Sequence, residues 1–252
     1  MPSSLASRRV LTLLLAATAT ALATGLGAIP VFLLGTRAAV LRPFLLGVAA
    51  GAMSVASVAG LLLPGLDQGS AFSVGAGLAA GVLFLAFARR ALDPRHRHLE
   101  RAQSAGVRTS ILVFIVLLIH SLPEGFAIGT AYASDTTGLS LFVIVAIGVQ
   151  NVPEGTSVAI PMAAAGFSRT RQFWAAVATS APQPVGAAVA FLLVEQIEPL
   201  LPVSFGFAAG AMLALVIAEL LPTAVRESAP QAAGGIALGA AAMLALSAAL
   251  GV

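Results

Sequence analysis

The sequence predicts an all-α membrane protein with eight transmembrane helices. Hydrophobic residues make up 59% of the 252 residues and charged residues only 9%, whereas an ordinary globular chain carries about 25% charged residues. The apolar residues form runs long enough to cross the hydrocarbon core, which takes about 20 residues in a helix. These runs leave little for a soluble domain, so we expect a single transmembrane domain over residues 1–252. The predicted spans are 10–34, 43–66, 70–88, 109–133, 138–166, 173–194, 200–224 and 229–251, with a cytoplasmic loop at 89–108.

The first run also has features of a secretory signal. Arg8 and Arg9 precede the apolar residues, and Ala21-Leu22-Ala23 has the small residues of a cleavage site. Because the run continues to Leu34, we favour a transmembrane span, and cleavage stays open.

Orientation follows from arginine, since the chain has 13 basic residues and no lysine. With eight spans, all of them except Arg8 and Arg9 fall on one side. The positive-inside rule places that side in the cytoplasm and both termini outside. The outer side carries carboxylates that could attract cations, namely Asp67, Asp135, Glu195 and Glu198.

Composition also excludes several functions. The arginines lie at helix ends without interleaved aromatic residues, so they indicate topology and we expect no nucleic-acid partner. The absence of cysteine excludes disulfides and thiolate metal sites. The absence of lysine excludes a phosphate-binding loop with its Lys, so we expect no ATP-driven transport within this chain.

Two pairs of segments repeat along the chain. GVAAGAM at 47–53 in span two returns as GFAAGAM at 206–212 in span seven, and HSLPEG at 120–125 in span four is matched by QNVPEG at 150–155 in span five. In each pair one copy runs outward and the other inward. Antiparallel copies are typical of inverted repeats, which place a substrate site near the middle of the membrane.

The second pair of segments carries ionisable residues near the middle of its spans. His120 and Glu124 are four residues apart, as are Gln150 and Glu154, so each pair projects from one helix face. Two unpartnered glutamates at this depth would cost about 5–7 kcal/mol on the lenient insertion scale. These spans contain no arginine that could pair with them, whereas one divalent cation would balance two carboxylates. The sequence therefore predicts a divalent metal site.

Proline and glycine support this interpretation. Pro123 and Pro153 lack the N–H that bonds the carbonyl four residues earlier, which frees backbone oxygens near the site. Gly125 and Gly155 leave room for a neighbouring helix, and Gly125 with Gly129 also fits ordinary helix packing.

Two further polar residues lie in other spans. Gln183, between Pro182 and Pro184 in span six, is either a ligand or a packing residue on a broken helix. Glu219, toward the cytoplasmic end of span seven, is either an exit-path carboxylate or an interfacial glutamate that reaches water. The same choice exists for the motif residues, which could simply hydrogen-bond between helices. We favour function for them because ionisable residues in spans are functional by default.

The ligand types constrain the metal. Imidazole, carboxylate and amide oxygen without thiolate suit zinc, iron(II), manganese or cadmium, and zinc is favoured.

Three features of the chain resemble the ZIP family of divalent metal transporters. They are the Pro-Glu-Gly motifs in spans four and five, the eight-span layout with outside termini, and a loop with His96 and His98 between spans three and four. The resemblance covers almost the whole chain. It implies multi-pass location in the cell membrane, metal uptake into the cytoplasm, homodimers, and movement of one helix group past another. Carried over by motif, the site in spans four, five and six comprises His120, Glu124, Gln150, Glu154 and Gln183, joined by Ser121 and Asn151 in relatives with a two-metal centre.

The chain also departs from many relatives, which have Asn where Ser121 stands and Glu where Gln183 stands. These substitutions leave fewer negative charges around the site, so we expect one well-formed metal position.

The leading hypothesis is a transporter, not an enzyme, whose metal ion is a substrate and not a catalytic cofactor. A proton-coupled carrier of a small organic solute could use the same glutamates as a proton relay. An intramembrane metalloenzyme would need an open water position and a general base, often within His-Glu-x-x-His. The spans offer a single histidine and no such motif.

Overall fold

The computed structural model describes residues 2–99, 105–134 and 136–252, and over these residues every regular element is helical. The α-helices are α1 (Pro2–Leu26), α2 (Ile29–Leu34), α3 (Arg42–Ser57), α4 (Leu63–Gln68), α5 (Ala71–Leu99), α6 (Ala105–Ala133), α7 (Leu139–Ala164), α8 (Arg169–Thr179), α9 (Pro182–Gln196), α10 (Leu201–Leu215) and α11 (Leu221–Leu250). Short 3-10 helices cover Gly35–Leu41 and Glu198–Leu200, and π-helical turns cover Val58–Leu62 and Val216–Leu220. An all-helical chain fits a membrane, where each backbone polar group needs an internal partner.

Within the described residues, seven helical stretches are long and apolar enough to cross a membrane. They are Ser7–Leu34, Arg37–Gln68, Ala71–Arg90, Val113–Ala133, Leu139–Ala164, Arg169–Gln196 and Leu201–Leu250. The prediction of a multi-spanning helical protein is therefore confirmed. The last stretch, 50 residues long, joins two spans that the sequence predicts separately.

This last stretch is interrupted inside α11. Ser228 has an extended backbone with φ −164° and ψ 101°, and it lies two residues before Pro230. Proline cannot donate to the preceding turn, so the helix lacks a backbone hydrogen bond next to this interruption.

Close contacts at glycines give the direction of each half of the stretch. Where α10 contacts α5, the residue numbers of the contacting pairs increase together in both helices, so the two helices run parallel. The same holds for the second half of α11 and α3. These contacts are Gly77 with Val203, Gly81 with Phe207, Gly47 with Ala232 and Gly51 with Ile236. The contacts of α4 with α10 run in opposite directions, with Gly65 at Phe205 and Gly69 at Pro202. Because α4 continues α3, the two halves of the stretch run in opposite directions.

The repeated glycines make equivalent contacts in both copies. In α3, Gly47 and Gly51 lie against the backbone of α11. In α10, Gly206 and Gly210 lie in the same way against the backbone of α5. Each helix also continues into a π-helical turn followed by Leu-Pro, at Leu63 and Leu221.

Glycines also bring together the helices that carry the two Pro-Glu-Gly motifs. Gly125 and Gly129 of α6 lie against the backbones of Gln183 and Ala187 in α9. Gly155 of α7 lies against the backbone of α1. The predicted close approach at Gly125 and Gly155 is confirmed, and it places α1, α6, α7 and α9 side by side.

Parts of the predicted loop at 89–108 are helical. Helix α5 continues to Leu99 and α6 begins at Ala105, while residues 100–104 lie outside the described residues. Hydropathy marks where a helix leaves the hydrocarbon and does not mark where the helix itself ends.

Candidate metal site

The predicted site residues of spans four, five and six are all buried. Their exposed fractions are 3% or less, although they come from three separate helices. The set comprises His120, Ser121 and Glu124 on α6, Gln150, Asn151 and Glu154 on α7, and Gln183 on α9. Burial of two carboxylates among amides and an imidazole requires specific partners for each charge.

Side-chain amides hold Glu124. Gln150 Nε2 donates to Glu124 Oε1 at 3.0 Å, and Gln183 Nε2 donates to Glu124 Oε2 at 2.7 Å. The Gln183 amide reaches this position because α9 begins at Pro182, after a break in the stretch at Ser180. The predicted broken helix at Gln183 is therefore confirmed, and both oxygens of Glu124 are satisfied without a cationic partner.

Glu154 adjoins Glu124 closely enough for the two side chains to interact. In the part of the chain that the structure describes, Glu154 Oε1, Gln150 Oε1 and His120 Nδ1 are buried and have no hydrogen-bond partner. A buried polar atom without a partner costs about 1–3 kcal/mol. Carboxylate and amide oxygens are lone-pair donors, as is Nδ1 when Nε2 carries the proton. Divalent cations bind atoms of this kind.

Span one supports the site, although nothing in its sequence indicates this role. The backbone carbonyl of Thr20 accepts a hydrogen bond from Asn151 Nδ2 at 2.7 Å. The Thr20 hydroxyl is 2.9 Å from Gln183 Oε1, and the amides of Asn151 and Gln183 also pair with each other at 3.3 Å. A hydroxyl in an Ala/Thr-rich helix carries no charge and matches no motif, so the sequence offered no signal for it.

Two predicted residues do not point into this amide cluster. Ser121 Oγ donates to the carbonyl of Leu117, one turn earlier in its own helix, at 3.1 Å. His120 Nε2 lies 3.3 Å from Glu219 Oε2, so the histidine contacts the predicted exit-path carboxylate. The other oxygen of Glu219 is 3.0 Å from Nε of Arg89, a residue whose position in the sequence indicates only topology.

A cavity of about 310 Å³ leads to Glu154 from the arginine-rich side of the molecule. Its walls include Ser157 of α7, hydrophobic residues of α6 and Glu219. Three arginines also line it, namely Arg42, Arg89 and Arg226. Glu154 and Glu219 thus face the same space.

The other described glutamates have arginine partners. Arg9 Nη1 is 2.7 Å from Glu195 Oε1, and the Arg9 guanidinium also lies over the ring of Phe191. Arg42 pairs with Glu227. Of the predicted outer acidic residues, Asp135 lies outside the described residues, and so does the side chain of Glu198. The side chains of the loop histidines His96 and His98 also lie outside the described residues.

Over the described ranges, no three His, Cys, Asp or Glu side chains come together to form a metal cluster. The site instead offers two carboxylates, neutral amides and one imidazole. Oxygen and nitrogen donors of this kind suit a divalent cation of hard or intermediate character.

These features define a multi-pass helical membrane protein with a buried pair of carboxylates. The chain belongs to the ZIP zinc transporter family, whose profile matches residues 88–247. It is 37% identical over 236 residues to a putative zinc transporter of Arabidopsis thaliana, covering 91% of this chain and 37% of that protein. It is 30% identical over 215 residues to the zinc transporter GufA of Myxococcus xanthus, covering 81% of this chain and 85% of GufA.

A third relative is the zinc transporter ZIPB of Bordetella bronchiseptica, 34% identical over 244 residues, which cover 91% of this chain and 78% of ZIPB. The chain therefore spans just over a third of the Arabidopsis protein and most of the length of the two bacterial ones. All three are named as transporters, in agreement with the expectation of a transporter instead of an enzyme.

Proposed function

We propose that this protein carries divalent metal cations into the cytoplasm through a site between α6, α7 and α9. Zinc is the preferred substrate by ligand type and by the names of the relatives. Iron(II), manganese and cadmium are the further candidates. One observation carries the proposal: Glu154 has a buried oxygen without a partner, beside a second carboxylate whose partners are amides.

Each predicted ligand has a role in this proposal. Glu124 and Glu154 supply the two negative charges, and His120 supplies nitrogen. Gln150 is the better placed amide ligand, because its Oε1 has no partner. The oxygen of Gln183 is instead engaged by Thr20. Gln183 therefore acts first as a donor that positions Glu124 and becomes a ligand when its amide turns.

The second metal position of two-metal relatives would fall at Ser121 and Asn151. Ser121 is bonded to its own helix and Asn151 to Thr20 and Gln183. These contacts support a single well-formed metal position.

The proposed topology has eight spans in inverted repeats, with both termini outside and the arginine-lined cavity facing the cytoplasm. A straight helix of 50 residues would extend about 75 Å, against a hydrocarbon core of about 30 Å. The reversal at Ser228 supports two crossings in this stretch. Location in the cell membrane and assembly as a homodimer complete the proposal, and both rest on the family resemblance.

Zinc uptake by reconstituted vesicles tests this function. Radioactive zinc should enter vesicles that contain the protein, and unlabelled iron(II), manganese or cadmium should compete in the order of their affinities. The double variant Glu124→Gln, Glu154→Gln should lower uptake at least about 100-fold, because loss of supporting residues alone costs 10–100-fold at metal sites. Glu227→Gln, which removes the charge of a glutamate outside the site, is the matched control. Equal uptake by the double variant and the control would refute the proposal.

The competing functions predict a different response to metal. Zinc should raise the melting temperature of the purified protein, because a ligand that binds only the folded state stabilises it by mass action. A carrier of organic solutes should show no such stabilisation. A metalloenzyme should show stabilisation without movement of zinc across the vesicle membrane.

A further inference from the structure

A cation path lined by arginines requires an explanation. The cavity that leads to Glu154 is also lined by Arg42, Arg89 and Arg226. Arginine keeps its charge under all ordinary conditions, so each guanidinium repels a departing metal ion. Of these three, Arg89 is the one whose partner, Glu219, lines the same cavity.

Glu219 is the next carboxylate that an ion leaving Glu154 would meet. Its side chain is only 19% exposed, and its oxygens are engaged by Arg89 Nε at 3.0 Å and by His120 Nε2 at 3.3 Å. His120 is one helical turn from Glu124, so it connects the metal site to Glu219. Without Arg89, the carboxylate of Glu219 would face the cavity with no cationic partner, and a free carboxylate of this kind is suited to retain a divalent cation.

Building on the proposed function, we infer that Arg89 is a tethered counter-ion of Glu219 that prevents the exit path from becoming a second, retaining metal site. A metal ion can bind Glu219 only by displacing the guanidinium. Arg89 is 42% exposed, so its side chain has room to move aside into the cavity and to return.

The backbone keeps the two residues together. Arg89 lies on α5, and Glu219 lies in the π-helical turn after α10. Helices α5 and α10 are locked by reciprocal glycine contacts, Gly77 and Gly81 from one side and Gly206 and Gly210 from the other. The guanidinium therefore stays within reach of Glu219 after each ion leaves, and the pair can form again.

The number of zinc ions bound per chain tests the inference, measured by equilibrium dialysis of the purified full-length protein with zinc alone. The unchanged protein should bind one ion, and Arg89→Gln should bind two. Arg89→Lys, which keeps the charge, should bind one. Arg42→Gln is the matched control, because Arg42 lines the same cavity but pairs with Glu227, and it should also bind one ion.

The second ion must depend on Glu219, so adding Glu219→Gln to Arg89→Gln should return the count to one. A count of one in Arg89→Gln would overturn the inference, and so would a count of two in Arg89→Lys. If Arg89→Gln does not fold, Glu219→Gln alone serves as the test. It should still bind one ion at saturating zinc, because Arg89 already occupies that carboxylate, and loss of the ion would overturn the inference.

The proposed function has its own readout in the same experiment. Glu124→Gln with Glu154→Gln should remove the first ion in every background. If the first ion survives that change, the proposed site is wrong, whatever the Arg89 variants do. If the double variant loses the first ion while Arg89→Gln binds no second ion, the proposed metal site is supported and the proposed role of Arg89 is wrong.

Discussion

The glutamates of this protein fall into two kinds according to their partners. Glu195, Glu219 and Glu227 each pair with an arginine, and each is partly exposed. Glu124 and Glu154 have exposed fractions of 1% or less, and neither has an arginine or lysine partner among the described residues. Glu124 is held by two amides, and Glu154 keeps an oxygen without a partner.

The difference shows how the same side chain can serve two purposes. A carboxylate paired with a guanidinium is already neutralised, and it gains little by binding a metal ion. A carboxylate held by neutral amides has no opposite charge beside it, in a region where charge is costly. Only the second kind has a strong physical reason to bind a mobile cation.

The largest effect should follow from breaking the backbone contact between α6 and α9, which brings Gln183 to Glu124. In Gly125→Ala the new Cβ would collide with the backbone carbonyl of Gln183, which cannot move aside as a side chain can. We expect a loss of about 3 kcal/mol, the upper end for overpacking, together with loss of zinc uptake. The measurement is the melting temperature with an uptake assay.

Gly148→Ala is the control for this change. Gly148 is also helical, but a Cβ there would meet nothing within 4 Å. Equal destabilisation by the two substitutions would mean that the contact of α6 with α9 does not organise the site.

A smaller effect should follow from removing one amide and keeping the backbone. Gln183→Ala deletes the donor to Glu124 Oε2 and leaves that oxygen free to turn away. We expect zinc affinity to fall about 10–100-fold, as for supporting residues at other metal sites. A zinc titration followed by thermal shift measures this change. If affinity is unchanged, the amides do not position Glu124.

The smallest effect should come from the hydroxyl of span one. Thr20→Val removes the contact with Gln183 Oε1 and keeps the shape of the side chain. We expect about a fivefold loss of zinc affinity, equivalent to about 1 kcal/mol for one neutral hydrogen bond. Thr18→Val, at an exposed position on the same helix, should have no effect. A loss of equal size in both variants would contradict a specific role for Thr20.

The sequence predicts one side of this comparison better than the other. Glu124 and Glu154 are identifiable because a carboxylate in an apolar run is rare, and the spacing of His120 and Gln150 gives the helix face. The glycine contacts are predictable for a similar reason, since a missing side chain indicates a close neighbour. These signals are all local to one helix.

Contacts between distant helices could not be predicted in this way. The pairing of Glu219 with Arg89 and His120 joins three helices, and periodicity gives the faces of helices without showing which faces meet. The supporting role of Thr20 depends on the same missing information. The sequence did not predict the continuation of α5 to Leu99, because hydropathy reports the solvent around a helix and not where the helix ends.

The position of zinc in the loaded protein tests the central claim most directly. An anomalous difference map at the zinc absorption edge should show a peak between Glu124 and Glu154, with metal–oxygen distances of about 2.0–2.2 Å. A peak bound elsewhere, with these two carboxylates turned apart, would contradict the account.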